Sequence, residues 1–266
     1  HDRRLFNRKV RHVGDRVAAI VAETEEQARA ARDAIKVEYE VLKPVLTVEE
    51  AMEEGAPLIH NGIVEYRAGA PKDLDEYNKK ADPRDGKVIY QFPLHSDIRR
   101  NIASAAHGQI GDVEKGFKEA DVVVERTYQT SQIQCTPLEP HICYAKIDGG
   151  RLVLHASTQV PYHVRRIVAW VCQIPENKIR VIKERVGGGY GSKQDILVED
   201  LVGYATWITG KPVLYRNTRE EEFIANSTRH PMRVTVKMGG KKDGTITAVY
   251  MRSEEHTSEL QSLAYL

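Results

Sequence analysis

The sequence predicts an α+β fold, on three observations. Runs with strand-type alternation and runs with helical periodicity are interspersed; the second half orders them as strand, helix, strand, glycine loop, helix; and a stretch with neither pattern divides the chain. At 266 residues the chain is long enough for one large domain or two modest ones.

In the first region, Arg16 to Ala22 is a short β-type run. Thr24-Glu25-Glu26-Gln27 then has the form of a capping box, opening a helix through about Ala34. Ile35 to Leu42 alternates apolar Ile35, Val37, Tyr39 and Val41 with polar or charged neighbours, which predicts a strand with one buried face. Pro44 stops it, and Thr47 to Met52 suggests a short helix. This β-α-β region is bounded at 1–62. Between Glu65 and Asp97 the composition shifts to Lys, Asp, Pro and Gly, so 63–100 reads as a connector or insertion.

The second region, 101–251, predicts strands at Asp121 to Thr130, Ile142 to Ile147 and Arg151 to Ala156, the last two joined by the turn Asp148-Gly149-Gly150. A helix from Tyr162 to Cys172, a strand from Ile179 to Lys183 and a helix from Asp195 to Ile208, stopped by Gly210, follow. Strands at Val213 to Asn217, Arg233 to Met238 and Thr245 to Met251 complete it, with Lys242-Asp243-Gly244 as the final turn. The chain opens on His1 and enters almost at once into sequence of mid-domain character. Arg252 to Ser262 resembles the translation of a sequencing adapter, so 252–266 is expected to lie outside the fold.

Composition excludes little but gives no reason to invoke nucleic acid or a membrane surface: the formal net charge is +1, with 41% apolar and 29% charged residues. No apolar run is long enough to span a bilayer, and a cytoplasmic location is the default. Cys135, Cys143 and Cys172 are widely spaced with no Cys-x-x-Cys pair, which argues against a disulfide framework, a zinc site or an iron–sulfur site within the chain.

Two polar segments stand where this topology would put a ligand. Ser157-Thr158-Gln159 follows one strand and Gly187-Gly188-Gly189-Tyr190-Gly191-Ser192-Lys193-Gln194 follows the next, with a helix between. If those strands are parallel neighbours, a right-handed crossover sets both segments beyond the strands' carboxyl ends. Glycines there let the backbone approach an anionic or bulky cofactor, and amides at the following helix's N-terminus could point at it. Ser192 separates Gly191 from Lys193, which breaks a P-loop, and Ser192 also fills the last glycine position of a dinucleotide fingerprint. A nucleotide-binding module nevertheless remains an alternative of another class.

Together with Lys9-Val10-Arg11-His12-Val13-Gly14-Asp15-Arg16-Val17-Ala18, Val37-Glu38-Tyr39-Glu40, Leu138-Glu139-Pro140-His141 and Arg229-His230-Pro231, these segments resemble the molybdenum hydroxylases, the xanthine dehydrogenase and aldehyde oxidase family, in the family's order. The resemblance, nearest to the large subunit of bacterial xanthine dehydrogenases, implies the latter part of an α/β hammerhead domain followed by the first part of a molybdopterin-binding domain. It implies a molybdenum cofactor, as molybdopterin or its cytosine dinucleotide form, that hydroxylates a purine such as xanthine or hypoxanthine with oxygen from water. An aldehyde or another nitrogen heterocycle is the alternative substrate within the family. FAD and [2Fe-2S] clusters are implied on separate partner subunits.

By the same resemblance Gln159 matches the glutamine that hydrogen-bonds the metal's oxo group. Gly188, Gly189, Tyr190 and Gly191 match the loop against the cofactor, with Tyr190 N–H a donor and Tyr in place of the usual Phe. No side chain of the chain ligates the metal. Gln194 stands where animal-type enzymes carry a substrate-contacting glutamate, and an amide there can donate and accept hydrogen bonds but not act as an acid or base. Asp195 reads as a helix N-terminal charge. Glu139 and His141 flank Pro140 and read as a structural turn; Cys135 stands where relatives often have His; Trp170 and Trp207 read as core. No catalytic residue is assigned within the chain, since the family's glutamate base and orienting arginine match sequence beyond residue 251. The isolated chain is accordingly expected to be inactive.

Overall fold

The computed structural model describes residues 5–6, 9–59, 64–66, 88–90, 98–102, 105 and 108–255. In chain order the elements are α1 (Glu25–Ala34), α2 (Val48–Met52), β1 (Val64–Tyr66), β2 (Val88–Tyr90), α3 (Val113–Lys118), β3 (Val122–Gln129), β4 (Ile133–Gln134), β5 (Ile142–Asp148) and β6 (Arg151–Ala156). Then come α4 (Pro161–Cys172), β7 (Ile179–Lys183), α5 (Glu199–Thr209), β8 (Val213–Arg216), α6 (Arg219–Ala225), β9 (Thr228–Arg229), β10 (Met232–Gly240) and β11 (Ile246–Glu255). Two compact units result, each drawing on separated stretches: residues 3–40 with 133–229, and residues 41–132 with 230–266 and the first two residues.

The unit built from 3–40 and 133–229 holds the main core. Its sheet runs in the order β7-β6-β5-β8, with β6 and β7 parallel and the β5 pairings antiparallel. On β5 only alternate residues point inward, and Cys143 and Ala145 are fully buried. Central β6 buries Leu152, Val153 and Leu154 in succession. Against the sheet pack Val164, Ile167, Val168 and Cys172 of α4 and Val202 and Ala205 of α5. Trp170 and Trp207, expected in this core, are instead 38% and 37% exposed. At 100° per residue Trp170 falls well off the buried stripe of α4, while Trp207 stands in the last turn of α5, past the point where its buried residues end at Thr206.

The capping box of α1 forms as its sequence dictates: Gln27 N–H donates to the Thr24 hydroxyl and Thr24 N–H to the Gln27 side chain, both at 3.2 Å. The flanking runs Arg16 to Ala22 and Ile35 to Leu42 do not form strands. Alternation selects faces but supplies no ladder partner, and Ile35, Val37, Tyr39 and Val41 all stay exposed.

In the other unit β11, β10 and β3 form an antiparallel sheet, with α3 packed on it and the expected turn around Lys242 to Gly244 joining β10 to β11. The β10 ladder continues past Met251 through Glu255, beyond the point where the sequence places the end of the fold, and His230 Nδ1 bonds Glu255 Oε2 at 2.9 Å. Residues 256–266 and most of the 63–100 connector lie outside the described residues.

Candidate functional site

β6 and β7 end at Ala156 and Lys183 as parallel neighbours with α4 crossing between them, so Ser157-Thr158-Gln159 and the glycine loop leave the same edge of the sheet. The loop turns through left-handed backbone at Gly188 (φ 95°), Tyr190 (φ 53°) and Gly191 (φ 98°). A side-chain-bearing residue at positive φ stores strain of the kind that collects at ligand sites, and Tyr190 holds its ring 76% exposed. Ser192 N–H and Oγ–H both donate to Gly189 O, at 2.9 and 2.7 Å, and close the bend.

Gln159 is brought onto that bend twice. Its N–H donates to Lys193 O at 2.9 Å, and its Oε1 accepts Gly191 N–H at 3.2 Å. A Cβ on Gly189 would lie 2.4 Å from the same Oε1, so the amide can close on Gly191 only while position 189 carries no side chain. Fixing the amide oxygen on Gly191 leaves Nε2 as the outward donor. Among the described residues, neither this Nε2 nor the N–H groups of Gly188, Gly189 and Tyr190 donates to a protein acceptor. The arrangement is a cluster of N–H donors on glycine backbone, suited to a ligand rich in acceptor atoms.

Beneath the bend lies a charged group that sequence reasoning did not assign to the site. Lys193, fully buried, donates from Nζ to Glu139 Oε2 and to Ser157 Oγ, both at 2.8 Å, and Ser157 Oγ–H itself donates to Glu139 Oε2. Partial burial works to raise the Glu139 carboxyl, but bonds from Lys193, Ser157 and Gly187 N–H outweigh it and hold the group below its usual value. With its amine enclosed and paired, Lys193 is not presented to a phosphate as a P-loop lysine would be. Glu139 and His141 do not pair with each other. His141 Nδ1–H instead meets buried Glu222 Oε1 at 2.8 Å, and its Nε2 is buried without a partner among the described residues.

Gln194 ends the short turn Ser192–Gln194 and is exposed, its N–H donating to Gly191 O at 3.1 Å. Asp195 is not a helix N-terminal charge, because α5 starts only at Glu199; its carboxylate accepts the Ser227 hydroxyl instead. The donors facing a ligand are therefore loop amides rather than the end of α5. Cys135 is half-buried and its thiol meets Tyr190 O at 3.7 Å.

Residues 94–263 match the family described as the molybdopterin cofactor-binding domain, and residues 1–43 match the a/b hammerhead domain of aldehyde oxidase and xanthine dehydrogenase. A probable hypoxanthine oxidase of Escherichia coli is 57% identical over 96% of the chain. The large molybdopterin subunit of nicotinate dehydrogenase from Eubacterium barkeri is 34% identical over 92%. The chain spans 27% of the first relative's length and 49% of the second's. The fold resembles that of the aldehyde oxidoreductase of Desulfovibrio gigas, with a TM-score of 0.65 over 88% of this chain and 22% of that one, at 23% identity.

Proposed function

This chain belongs to the aldehyde oxidase and xanthine dehydrogenase family of molybdopterin-binding proteins, and from that premise we propose that it forms part of the molybdenum subunit of a purine hydroxylase acting on hypoxanthine or xanthine. The observation that carries the reading is the closure of Gln159 onto Gly191, which puts an amide donor beside the N–H groups of Gly188, Gly189 and Tyr190, none of which donates to a protein acceptor among the described residues. The purine assignment draws its support from the 57% identity to a protein named as a probable hypoxanthine oxidase.

The residues fit such a cofactor, since the donor set offers N–H groups alone and the bend carries no side chain at Gly188, Gly189 or Gly191 to hold a large group away. When bound, the molybdenum cofactor supplies the oxidation of a substrate carbon with oxygen taken from water. Gln159 Nε2 and Tyr190 N–H would donate to it, while Gly188, Gly189 and Gly191 provide backbone approach. Gln194 would take the heterocycle as both donor and acceptor, with no acid–base role. The glutamate base and orienting arginine would come from sequence beyond 251, and electrons would pass to [2Fe-2S] and FAD on partner subunits in the cytoplasm.

The nicotinate dehydrogenase relative supports a second reading within the same chemistry, another nitrogen heterocycle as substrate. Assaying the assembled enzyme with hypoxanthine, xanthine, nicotinate and an aldehyde tests both. Purine turnover and a bound molybdenum that Gln159→Ala depletes are the expected results, and a metal-free active enzyme would overturn the assignment. Purine oxidation by the isolated 266-residue chain would overturn the expectation that it lacks a base.

A further inference from the structure

The Lys193, Glu139 and Ser157 group has a geometry that packing alone does not require. Enclosing an ammonium is costly, and an apolar side chain of similar volume would fill the space at least as well. What the charge adds is direction. Glu139 Oε2 accepts Gly187 N–H at 2.9 Å from the start of the glycine loop and Lys193 Nζ at 2.8 Å from its end, so both ends of the loop are drawn to one oxygen. Glu139 N–H returns a bond to Gly187 O at 3.0 Å. Lys193 O accepts the Gln159 N–H at 2.9 Å and the Thr158 hydroxyl at 3.3 Å, while its Nζ holds Ser157. Three stretches distant in sequence, around 139, 157–159 and 187–193, are therefore tied at one ion pair whose lysine is buried and whose carboxylate is partly exposed, directly under the bend that Gln159 closes.

We propose that the Lys193–Glu139 pair is a positioning clasp for the cofactor cradle: it fixes the spacing between the Gln159 amide and the loop N–H donors before any ligand arrives. Neither residue touches the cofactor; each acts through the loop. The proposal rests on the cofactor reading above for what the cradle binds, but the order it imposes on the loop is a property of the chain itself. A clasp of this kind lowers the cost of ordering the donors at the moment of binding.

The test uses the full molybdenum subunit, assembled with its partners, as wild type, Lys193→Met, Glu139→Gln and the double variant. The double variant removes both charges together and so avoids the unpaired buried ammonium that Glu139→Gln alone would leave at Lys193. Two quantities are read: amide hydrogen exchange at Gln159, Gly191 and Ser192, and molybdenum retained per subunit on dilution. In the double variant, with thermal stability near wild type, exchange at these amides is expected to rise above the wild-type rate and molybdenum retention to fall by about 10- to 100-fold, the range seen when residues supporting a metal site are removed. Wild-type exchange in the double variant would overturn the clasp, leaving the pair as packing only. If the wild-type enzyme holds no molybdenum the cofactor reading fails, and the exchange rates alone still decide for or against the clasp.

Discussion

A Cβ placed on Gly189 would lie 2.4 Å from the Oε1 of Gln159, so the width of the glycine bend and the position of the amide fix one another. Gly189→Ala is expected to push the amide away and break its bond from Gly191 N–H. The clashing atom is the far end of a flexible side chain, so the fold should survive with a loss on the order of 1 kcal/mol. Gly191→Ala makes a useful contrast, because nothing lies within 4 Å of its Cβ position while its φ is +98°. Its cost is backbone strain, about 1–2 kcal/mol, with the amide left in place. Urea denaturation together with molybdenum content separates the two. Loss of metal in the Gly191→Ala protein but not in the Gly189→Ala protein would contradict the account.

Arg16 reaches from the N-terminal stretch to α5, donating to both carboxylate oxygens of Asp200 at 2.9 Å and to Leu197 O. Asp200 is 1% exposed, whereas the Arg16 side chain keeps 18% of its surface. Arg16→Met strands an enclosed carboxylate and is expected to cost about 3–5 kcal/mol. Asp200→Asn leaves a guanidinium that can still reach water and should cost less. Chemical denaturation of both variants checks the order; equal costs would contradict the part given to the enclosed carboxylate, and two small costs would mean that the pair contributes little.

Local signals were the most legible part of this sequence. The Thr24 capping box needs only neighbouring residues, and it forms. The meeting of Gln159 with the glycine loop followed from the handedness of one strand–helix–strand crossover, a rule that needs no knowledge of the rest. The run from Ile35 to Leu42 alternates correctly yet builds no strand, because a ladder depends on a partner that alternation does not specify. Lys193 was hidden for a similar reason. Its burial is decided by a carboxylate 54 positions away, and within the loop it reads only as a misplaced phosphate-binding lysine.

The three thiols should react in a definite order. Burial, with smaller contributions from Glu199 and Asp200, pushes Cys143 well above the usual thiol range, and burial with Asp200 takes Cys172 up to about 12. Neither offers thiolate at moderate pH. Half-buried Cys135 is expected to alkylate first in the native protein, with Cys143 and Cys172 labelled only as it unfolds, as peptide mass spectrometry would report. Native labelling of Cys143 at the rate of Cys135 would show that the β5–α5 packing opens freely.

Two buried carboxyls should give the stability curve opposite slopes. At Glu222 burial works to raise the carboxyl, but bonds from the His141 ring and N–H and from Asn217 outweigh it, and the folded value lies below the usual one. Its contribution is therefore complete above the unfolded carboxyl value, about 4.3, and is lost as pH falls through the folded value. At Glu199 burial dominates and the folded value lies above the usual one, despite bonds from Leu197 and Val198 N–H. That contribution is complete below about 4.3 and is lost as pH climbs through the folded value. Glu222→Gln should cost about 1.5–3 kcal/mol near neutrality and flatten the acid limb, since it weakens bonds made to a charged acceptor. Glu199→Gln keeps an acceptor oxygen for the two amides and removes the buried charge, so it should raise stability near neutrality and leave the acid limb unchanged. Denaturant midpoints from about pH 3 to 8 distinguish them. A Glu199→Gln protein less stable than wild type at neutral pH would mean that the Glu199 carboxylate is solvated or paired in solution.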